Sequence, residues 1–387
     1  MMTLLAALLA ASAVAAPPAR TPEDFAFDLY RKVAAANPGR NVFLSPSSAR
    51  WALGMAYAGS AGSTRNDMAA VLGAGPVAAN LETESKRIAS LLSADPKVKL
   101  LVANGLWLKK GFPFKTRFVS AVTAAYKAEV FARDFVPADA AEANAWVSKH
   151  TEGKIPAIID EFSPDDRALL INAVYFKGTW TDRFNKQATK EEDFHLASNK
   201  TVKRKLMDRS GKYDYFAGAN FQAVRLPYGN KRLAMIVLLP DKDMPLSEVN
   251  MRMTPAVWRE TLAQMRSQQG RVRLPRFKLE FSADLGMPLM ALGMGVAFNP
   301  RTADFTEMAQ APTPADRLYI SKVLQKTFVA VDEEGTEAAA ATAVGIARRG
   351  SAEGPPFDFH ADHPFLYAIA DRGTGEVLFL GALHDPK

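Results

Sequence analysis

The 387-residue chain contains no cysteine. That absence removes a disulfide framework, a thiol nucleophile, thiolate zinc and iron–sulfur clusters together. Histidine is scarce, with only His150, His195, His360, His363 and His384. His360 and His363 could pass for two metal ligands, but no third ligand stands at suitable spacing and a Pro-Phe strand start follows at once, so no metal is expected. A Gly-x-Ser-x-Gly elbow, His-Glu-x-x-His, a phosphate loop and Gly-x-Gly-x-x-Gly are all missing, each the mark of a catalytic or cofactor site. Gly59-Ser60-Ala61-Gly62-Ser63 comes nearest to an elbow, with one glycine misplaced and helical segments on both sides. The chain therefore reads as no enzyme and as needing no cofactor. It also lacks an internal repeat, a Pro/Gly/Ser linker and, in its body, any apolar run near the about 20 residues that span a bilayer.

What is present is an ordinary globular composition, 48% hydrophobic, which excludes wholesale disorder and a fibrous repeat. Lys and Arg number 48 against 41 Asp and Glu, a formal net charge of +7. Such a balance permits binding to nucleic acid or an anionic surface without requiring it. It is read as a solvated basic surface, with no nucleic-acid or membrane partner. Length alone would allow two or three domains, yet without a linker one cooperative unit is expected.

Residues 1–15 read as a signal peptide. Thr3 to Ala11 is apolar but too short to span, and Ala13-Val14-Ala15 fits the small-x-small cleavage rule, leaving Ala16 as the first mature residue. The n-region, Met1-Met2-Thr3, departs from the usual pattern by carrying no Lys or Arg. Export to the periplasm or the extracellular space is expected, with residues 16–387 as one domain.

The pattern of the mature chain is helices first and strands later. Thr21-Pro22-Glu23-Asp24 supplies an N-cap, a proline at the first helical position and acids in the first turn, followed by Phe25, Leu29 and Val33 on one face. Ser45-Pro46 opens a second helix carrying Trp51 and Met55, and a third runs from Ala143 to His150 with Gly153 as a stop. Strands are predicted over Leu170–Phe176, Leu233–Leu239, Val272–Phe281 and Lys326–Val331, and a hairpin joins Phe365–Ala370 to Glu376–Leu380. Helices kept apart from strands, without βαβ alternation, indicate an α+β fold.

One segment resists a bland reading. Asp332-Glu333-Glu334-Gly335-Thr336-Glu337 leads into Ala338-Ala339-Ala340-Ala341-Thr342-Ala343-Val344-Gly345-Ile346-Ala347, then Arg348-Arg349-Gly350-Ser351 and Pro355-Pro356. Composition alone leaves an Ala-rich helix and an exposed loop equally open. The dibasic pair in small, polar surroundings is an obvious protease site. With a period of two, Thr336, Ala338, Ala340, Thr342, Val344 and Ile346 share one face, and the charge of Glu337 falls on the other. That is a strand pattern with one buriable face and side chains small enough to slip between existing strands.

These residues resemble the hinge and reactive-centre loop of the serpins, and the resemblance covers nearly the whole mature chain. Asn41-Val42-Phe43-Leu44-Ser45-Pro46-Ser47-Ser48 is similar to the family's early motif, continued by Gly59, Gly62 and Thr64. Asn144, Trp146-Val147 and Thr151-Glu152-Gly153-Lys154-Ile155 resemble the next block, and Asn172 through Trp180 resembles the central strand motif. Phe359-His360-Ala361-Asp362-His363-Pro364-Phe365 is similar to the C-terminal signature.

The resemblance implies three β-sheets, about eight or nine helices and an exposed loop, about residues 333–356, above a five-stranded central sheet. It implies inhibition of serine proteases by a suicide-substrate route. The protease cuts the loop and is held as an acyl-enzyme, while the cut loop inserts as a new central strand, the standing example of strain released by cleavage in this family. Glu333, Glu334, Gly335, Thr336, Glu337, Ala338, Ala339, Ala340, Ala341 and Thr342 take the place of the hinge. Family spacing from Glu333 puts the reactive bond between Arg349 and Gly350, with Arg348 the alternative. Arginine there suits the acidic specificity pocket of trypsin-like proteases; a cysteine protease with arginine preference is the other partner considered. A non-inhibitory binding or carrier protein is the alternative reading, and a monomer is expected.

Ser45, Ser48, Asn172, Trp180, Arg276 and Gln325 fall at the region where the central sheet opens. Gln325 stands where relatives commonly have a histidine, which removes a pH switch through that position. Arg276 aligns with a basic position that pairs with the hinge glutamate, implying an Arg276–Glu333 ion pair. The segment from Gly350 to His363 runs longer than in typical members. Basic residues gather at Lys200, Lys203, Arg204, Lys205, Arg209 and Lys212, read as strand and turn, whereas Lys86 and Arg87, where a polyanion-binding helix is expected, stand beside Glu82 and Glu84. Polyanion binding is therefore the minor expectation.

Ala340→Arg tests the loop reading. A buried unpaired charge opposes insertion, so this variant should be cut by trypsin, at Arg349 and at the introduced arginine, without forming the gel-stable adduct; undiminished adduct would contradict insertion through Ala340.

Overall fold

Local capping chemistry starts the helices where the sequence places them. The computed structural model describes residues 20–92, 95–313, 316–336 and 356–387; residues 1–15, read above as a signal peptide, lie outside them. In α1 (Pro22–Ala35) the Asp24 amide donates to the Thr21 hydroxyl and the Thr21 amide donates to the Asp24 carboxylate at 2.7 Å, so two orphan donors are satisfied reciprocally. After β1 (Val42–Leu44), Ser45 caps α2 (Pro46–Gly59), whose residues are almost all buried, Trp51 and Met55 among them.

In chain order there follow α3 (Gly62–Leu72), α4 (Val77–Leu92), β2 (Val98–Lys109), α5 (Thr116–Tyr126), β3 (Glu129–Arg133), α6 (Pro137–His150) and β4 (Ala168–Thr179). Next come β5 (Lys190–His195), β6 (Thr201–Ala217), β7 (Phe221–Pro227), β8 (Leu233–Pro240), α7 (Leu246–Arg252) and α8 (Pro255–Gln264). The C-terminal third holds β9 (Arg266–Pro275), β10 (Phe277–Asp284), the one-turn α9 (Gly286–Leu289), β11 (Ile320–Asp332), β12 (Gly335–Thr336), β13 (Phe357–His360), β14 (Phe365–Asp371) and β15 (Val377–Leu383). This is an α+β fold.

Strand pairing among the described residues gives two hydrogen-bonded sheets. The six-stranded sheet runs β10-β11-β12-β4-β2-β3, and the nine-stranded one runs β1-β15-β14-β8-β7-β6-β9-β13 with β5 on β6. The three sheets implied by the resemblance are recovered because β6 is shared. Its last residues, Asp214–Ala217, pair with β7, while Thr201–Leu206 pair with β5 and Leu206–Tyr215 with β9. One half of the large sheet therefore belongs to the β1–β7 layer and the other to the β5–β13 layer.

Three local expectations are corrected. The single strand expected over Val272–Phe281 is two strands in different sheets. Pro275 lacks an N–H to continue the ladder, and Arg276 turns the chain with its amide on the Lys205 carbonyl at 2.9 Å. The third helix begins earlier, at Pro137, where the Asp139 carboxylate accepts from the Val136 amide at 2.9 Å. One β–α–β crossover exists after all, since β2 and β3 pair in parallel with α5 between them. The basic cluster from Lys200 onward lies on the 17-residue β6 and the turn before it.

The strand that positions the site is β4, buried along nearly its whole length. Its residues alternate between two cores. Leu170, Val174 and Phe176 join the main core over α2, whereas Leu169, Ile171, Ala173 and Tyr175 join a smaller core under α6. Asn172 belongs to the first set by parity, which aims its amide at α2. In the smaller core Trp107 is fully buried, stacked on Phe131 at 4.1 Å between centroids and edge-on to Trp146.

Trp107→Ala removes the more deeply buried of the two tryptophans of that core and leaves a cavity, so it should cost about 3–5 kcal/mol. A chemical-denaturation midpoint unchanged from the parent chain would contradict that packing.

Candidate functional site

The junction of β4 and β11 is the unusual feature of the six-stranded sheet. From Ile320↔Ala168 to Phe328↔Tyr175 the two strands pair directly and in parallel. Beyond that they part, and β12 sits between them, with Thr336 facing Val331 on one side and Gly178 on the other. Gly335 faces Asp332 and Thr179 in the same way.

Under the closed part of the junction lies a buried polar chain. Gln325 Oε1 accepts from the Ser45 amide at 3.0 Å, and its Nε2 donates to the Ser45 carbonyl at 2.9 Å and to Asn172 Oδ1 at 2.7 Å. Asn172 Nδ2 donates in turn to Ser48 Oγ at 2.5 Å and to Asn104 Oδ1 at 2.9 Å. The Ser45 hydroxyl bonds the Leu378 carbonyl at 2.8 Å. Gln325, Ser48 and Asn172 are at most 1% exposed. An amide offers both donor and acceptor without a charge, so Gln325 joins β11, β4 and α2 in a network with no titratable member.

Above the junction, Glu333 and Glu334 make the turn from β11 into β12. Asp332 Oδ1 accepts the Glu334 and Gly335 amides at 2.9 and 3.2 Å, while burial, opposed by those two bonds, raises its pKa. Glu333 is 1% exposed and paired: Arg276 Nε donates to it at 2.6 Å and Thr189 donates its hydroxyl. Glu334 takes the Lys186 ammonium at 2.6 Å, a bond that raises the Lys186 pKa. Backbone contacts hold the same turn, with the Phe184 and Trp180 amides on the Glu333 and Glu334 carbonyls, both at 2.9 Å.

Trp180 and Tyr228 form the wall of the wedge. Their rings stack at 4.4 Å, Trp180 Nε1 donates to the Asp332 carbonyl at 2.9 Å, and the Tyr228 hydroxyl meets Thr336 Oγ1 at 2.7 Å. Tyr228 is wholly buried, and burial pushes its pKa far above the ordinary value, so it is a neutral hydroxyl throughout the working range. Gly335 has φ +152° and a Cβ there would overlap the Gly178 carbonyl oxygen and the Thr179 backbone, which makes glycine a geometric requirement at this position.

The structure thus brings together Ser45, Ser48, Asn172 and Gln325 below the junction, and Trp180, Arg276, Glu333, Glu334, Gly335 and Thr336 above it. Glu337, Ala338, Ala339, Ala340, Ala341, Thr342, Arg348, Arg349 and Gly350 lie outside the described residues. Sequence reading missed Asn104, Tyr228, Thr189 and Lys186. Asn104 was detectable as a polar interruption of the apolar run Leu100–Leu108; the other three meet the hinge only through long-range packing. Elsewhere, His363 Nδ1 lies 2.7 Å from Asp362 and His360 Nε2 lies 3.0 Å from Glu192, but among the described residues no three His, Asp or Glu side chains are placed to hold a metal. Arg204 pairs with Asp385 at 2.6 Å, Lys203 with Asp193 at 2.9 Å and Lys86 with Glu82 at 2.6 Å.

Gly335→Ala tests the wedge. The added methyl cannot share the space of the Gly178 carbonyl, so the hinge should leave the sheet and separate Thr336 from Tyr228. Hydrogen exchange should then show lost protection of the amides of Gly335 and Thr336 and altered Trp180 fluorescence; wild-type protection would contradict the geometry.

Comparison with known proteins fits this architecture. The family model described as Serpin (serine protease inhibitor) matches residues 20–386. Leukocyte elastase inhibitor of Sus scrofa is 37% identical over 375 residues, covering 94% of this chain and 97% of that protein. The thermophilic serpin tengpin in its native state superposes with a TM-score of 0.86 at 29% identity, over 94% of this chain and 93% of the other. Human thyroxine-binding globulin, complexed with thyroxine, gives 0.86 at 26% identity over 95% and 97%. The family model describes protease inhibitors rather than enzymes, and the chain belongs to the serpin family.

Proposed function

We propose that this serpin inhibits trypsin-like, arginine-specific serine endopeptidases as a suicide substrate. The observation that carries the reading is β12, two residues seated between β11 and β4 with ladder partners on both sides. An edge already divided at its end accepts further residues of the same segment with less separation of strands than a fully closed sheet would need. The residues that follow Thr336 are Glu337 and then four alanines, side chains that add little bulk to an opening sheet. Human thyroxine-binding globulin shares the fold, and a binding or carrier role is the second reading.

The chemistry comes from the protease. Its serine hydroxyl attacks the Arg349 carbonyl, the Arg349–Gly350 bond breaks, and the Gly350 amine leaves with the proton carried by the protease histidine. Arg349 remains as an ester on the serine. Insertion of the freed segment below Thr336 would require Phe328 and Tyr175 to part, then the pairs beneath them down toward Gln325 and Asn172. Hydrogen bonds gained by a central strand and burial of its even face then drive the insertion, which drags the tethered protease away and distorts its active site before the ester is hydrolysed. Work by residues 1–15 as an export signal and action as a monomer belong to the same proposal, and an arginine-preferring cysteine protease would meet the same bond.

Mixing the chain with trypsin and resolving the products on a denaturing gel tests the proposal. A covalent adduct of the two masses, with release of the C-terminal fragment that begins at Gly350, is the expected result. Cleavage at Arg349 without adduct would leave the binding or carrier role instead.

A further inference from the structure

A cavity that no hinge residue lines lies elsewhere in the fold. It has a volume of about 660 Å³ and forms where the C-terminal end of α1, the turn between β5 and β6, the loop after β8, α7 and the ends of β14 and β15 meet. Pockets of a few hundred Å³ suit small organic ligands.

Its floor is apolar. Val42, Leu246, Pro364 and Ala382 are buried there, and Met244 and Leu196 are half-buried on the walls. Its rim is cationic. Arg40 and Lys242 are exposed on it; neither makes a side-chain hydrogen bond among the described residues, although, against the effect of burial, the Lys242 charge helps hold the Asp362 carboxyl below its ordinary pKa. Asp243 is the one acid among the lining residues. The third cation, Arg31, is held by Asp28.

Asn250 and His384 complete the lining. Asn250 accepts the Tyr30 hydroxyl on Oδ1 at 3.0 Å, which leaves its NH2 group directed away from that bond. His384 Nδ1 is buried and has no hydrogen-bond partner. Burial lowers the pKa of His384, so its ring is neutral near pH 7.

We propose that this cavity is a binding site for an amphipathic carboxylate, with its apolar body on the Val42–Leu246–Ala382 floor and its acid group at Arg40 and Lys242. An apolar ligand without a charge would leave the two cations unused, and a small inorganic anion would leave the floor unfilled. The site stands independently of the protease reading, since none of its residues belongs to the hinge or the loop.

Decanoate is the probe, titrated into the full chain by isothermal titration calorimetry. Saturable binding of one decanoate per chain is expected, with a dissociation constant on the order of micromolar. Arg40→Ala with Lys242→Ala should weaken it by about tenfold or more, and Ser247→Trp, an exposed lining position, should block it. All three positions are exposed, so circular dichroism should report an intact fold in each variant. No saturable heat with decanoate would overturn the proposal. Methyl decanoate binding as tightly as decanoate would overturn the acid-group assignment, as would unchanged affinity in the double variant. Undiminished binding to Ser247→Trp would place the ligand elsewhere.

Discussion

Everything at the top of the six-stranded sheet depends on two residues of β12 standing between β11 and β4. A β-strand position carries one donor and one acceptor, and inside a sheet both need partners. Gly335 and Thr336 find them on both flanks, which keeps β11 and β4 apart at this level while they pair directly below. Glycine allows the close approach to the Gly178 carbonyl, and the Thr336 hydroxyl reaches the buried Tyr228. The turn before them concentrates three acids, Asp332, Glu333 and Glu334, in little solvent. They are tolerable because backbone amides, Arg276, Thr189 and Lys186 each answer one of them.

Beneath the wedge the polar chain through Gln325 has the opposite character. It is uncharged, buried and linked to the first turn of α2 through Ser45 and Ser48. A polar network in a low-dielectric interior is costly when broken and stabilising when complete. Parting β4 from β11 as far as Gln325 and Asn172 would break the 2.7 Å bond between them. Opening the sheet to that depth would therefore cost a buried hydrogen bond, and the amide at 325 puts no titratable group in the network.

Much of this was legible before any coordinates. Thr21 and Ser45 cap helices through the residues expected, and the apolar run of β4 was readable as a strand. The break at Pro275 was missed because both halves of Val272–Phe281 alternate apolar and charged residues; the missing N–H of Pro275 and the shift of apolar phase from Val272 and Leu274 to Phe277, Leu279 and Phe281 were the available signals. The start of α6 was missed because Val136-Pro137 carries no Ser or Thr cap, and the capping is done by Asp139 reaching back.

The sequence alone determined which residues could enter a sheet. Small side chains after Gly335, a buriable even face, a glycine at the turn and two arginines beyond are properties of composition and period. The absence of cysteine also excluded a thiol nucleophile, thiolate zinc and a disulfide framework. Tertiary structure decided what those residues meet. The pairing of β4 with β11, the Tyr228 partner of Thr336, the Lys186 and Thr189 partners of the hinge acids and the cavity beside α1 all join residues far apart in the chain. Such contacts depend on how sheets stack and strands cross over, and no local period encodes them.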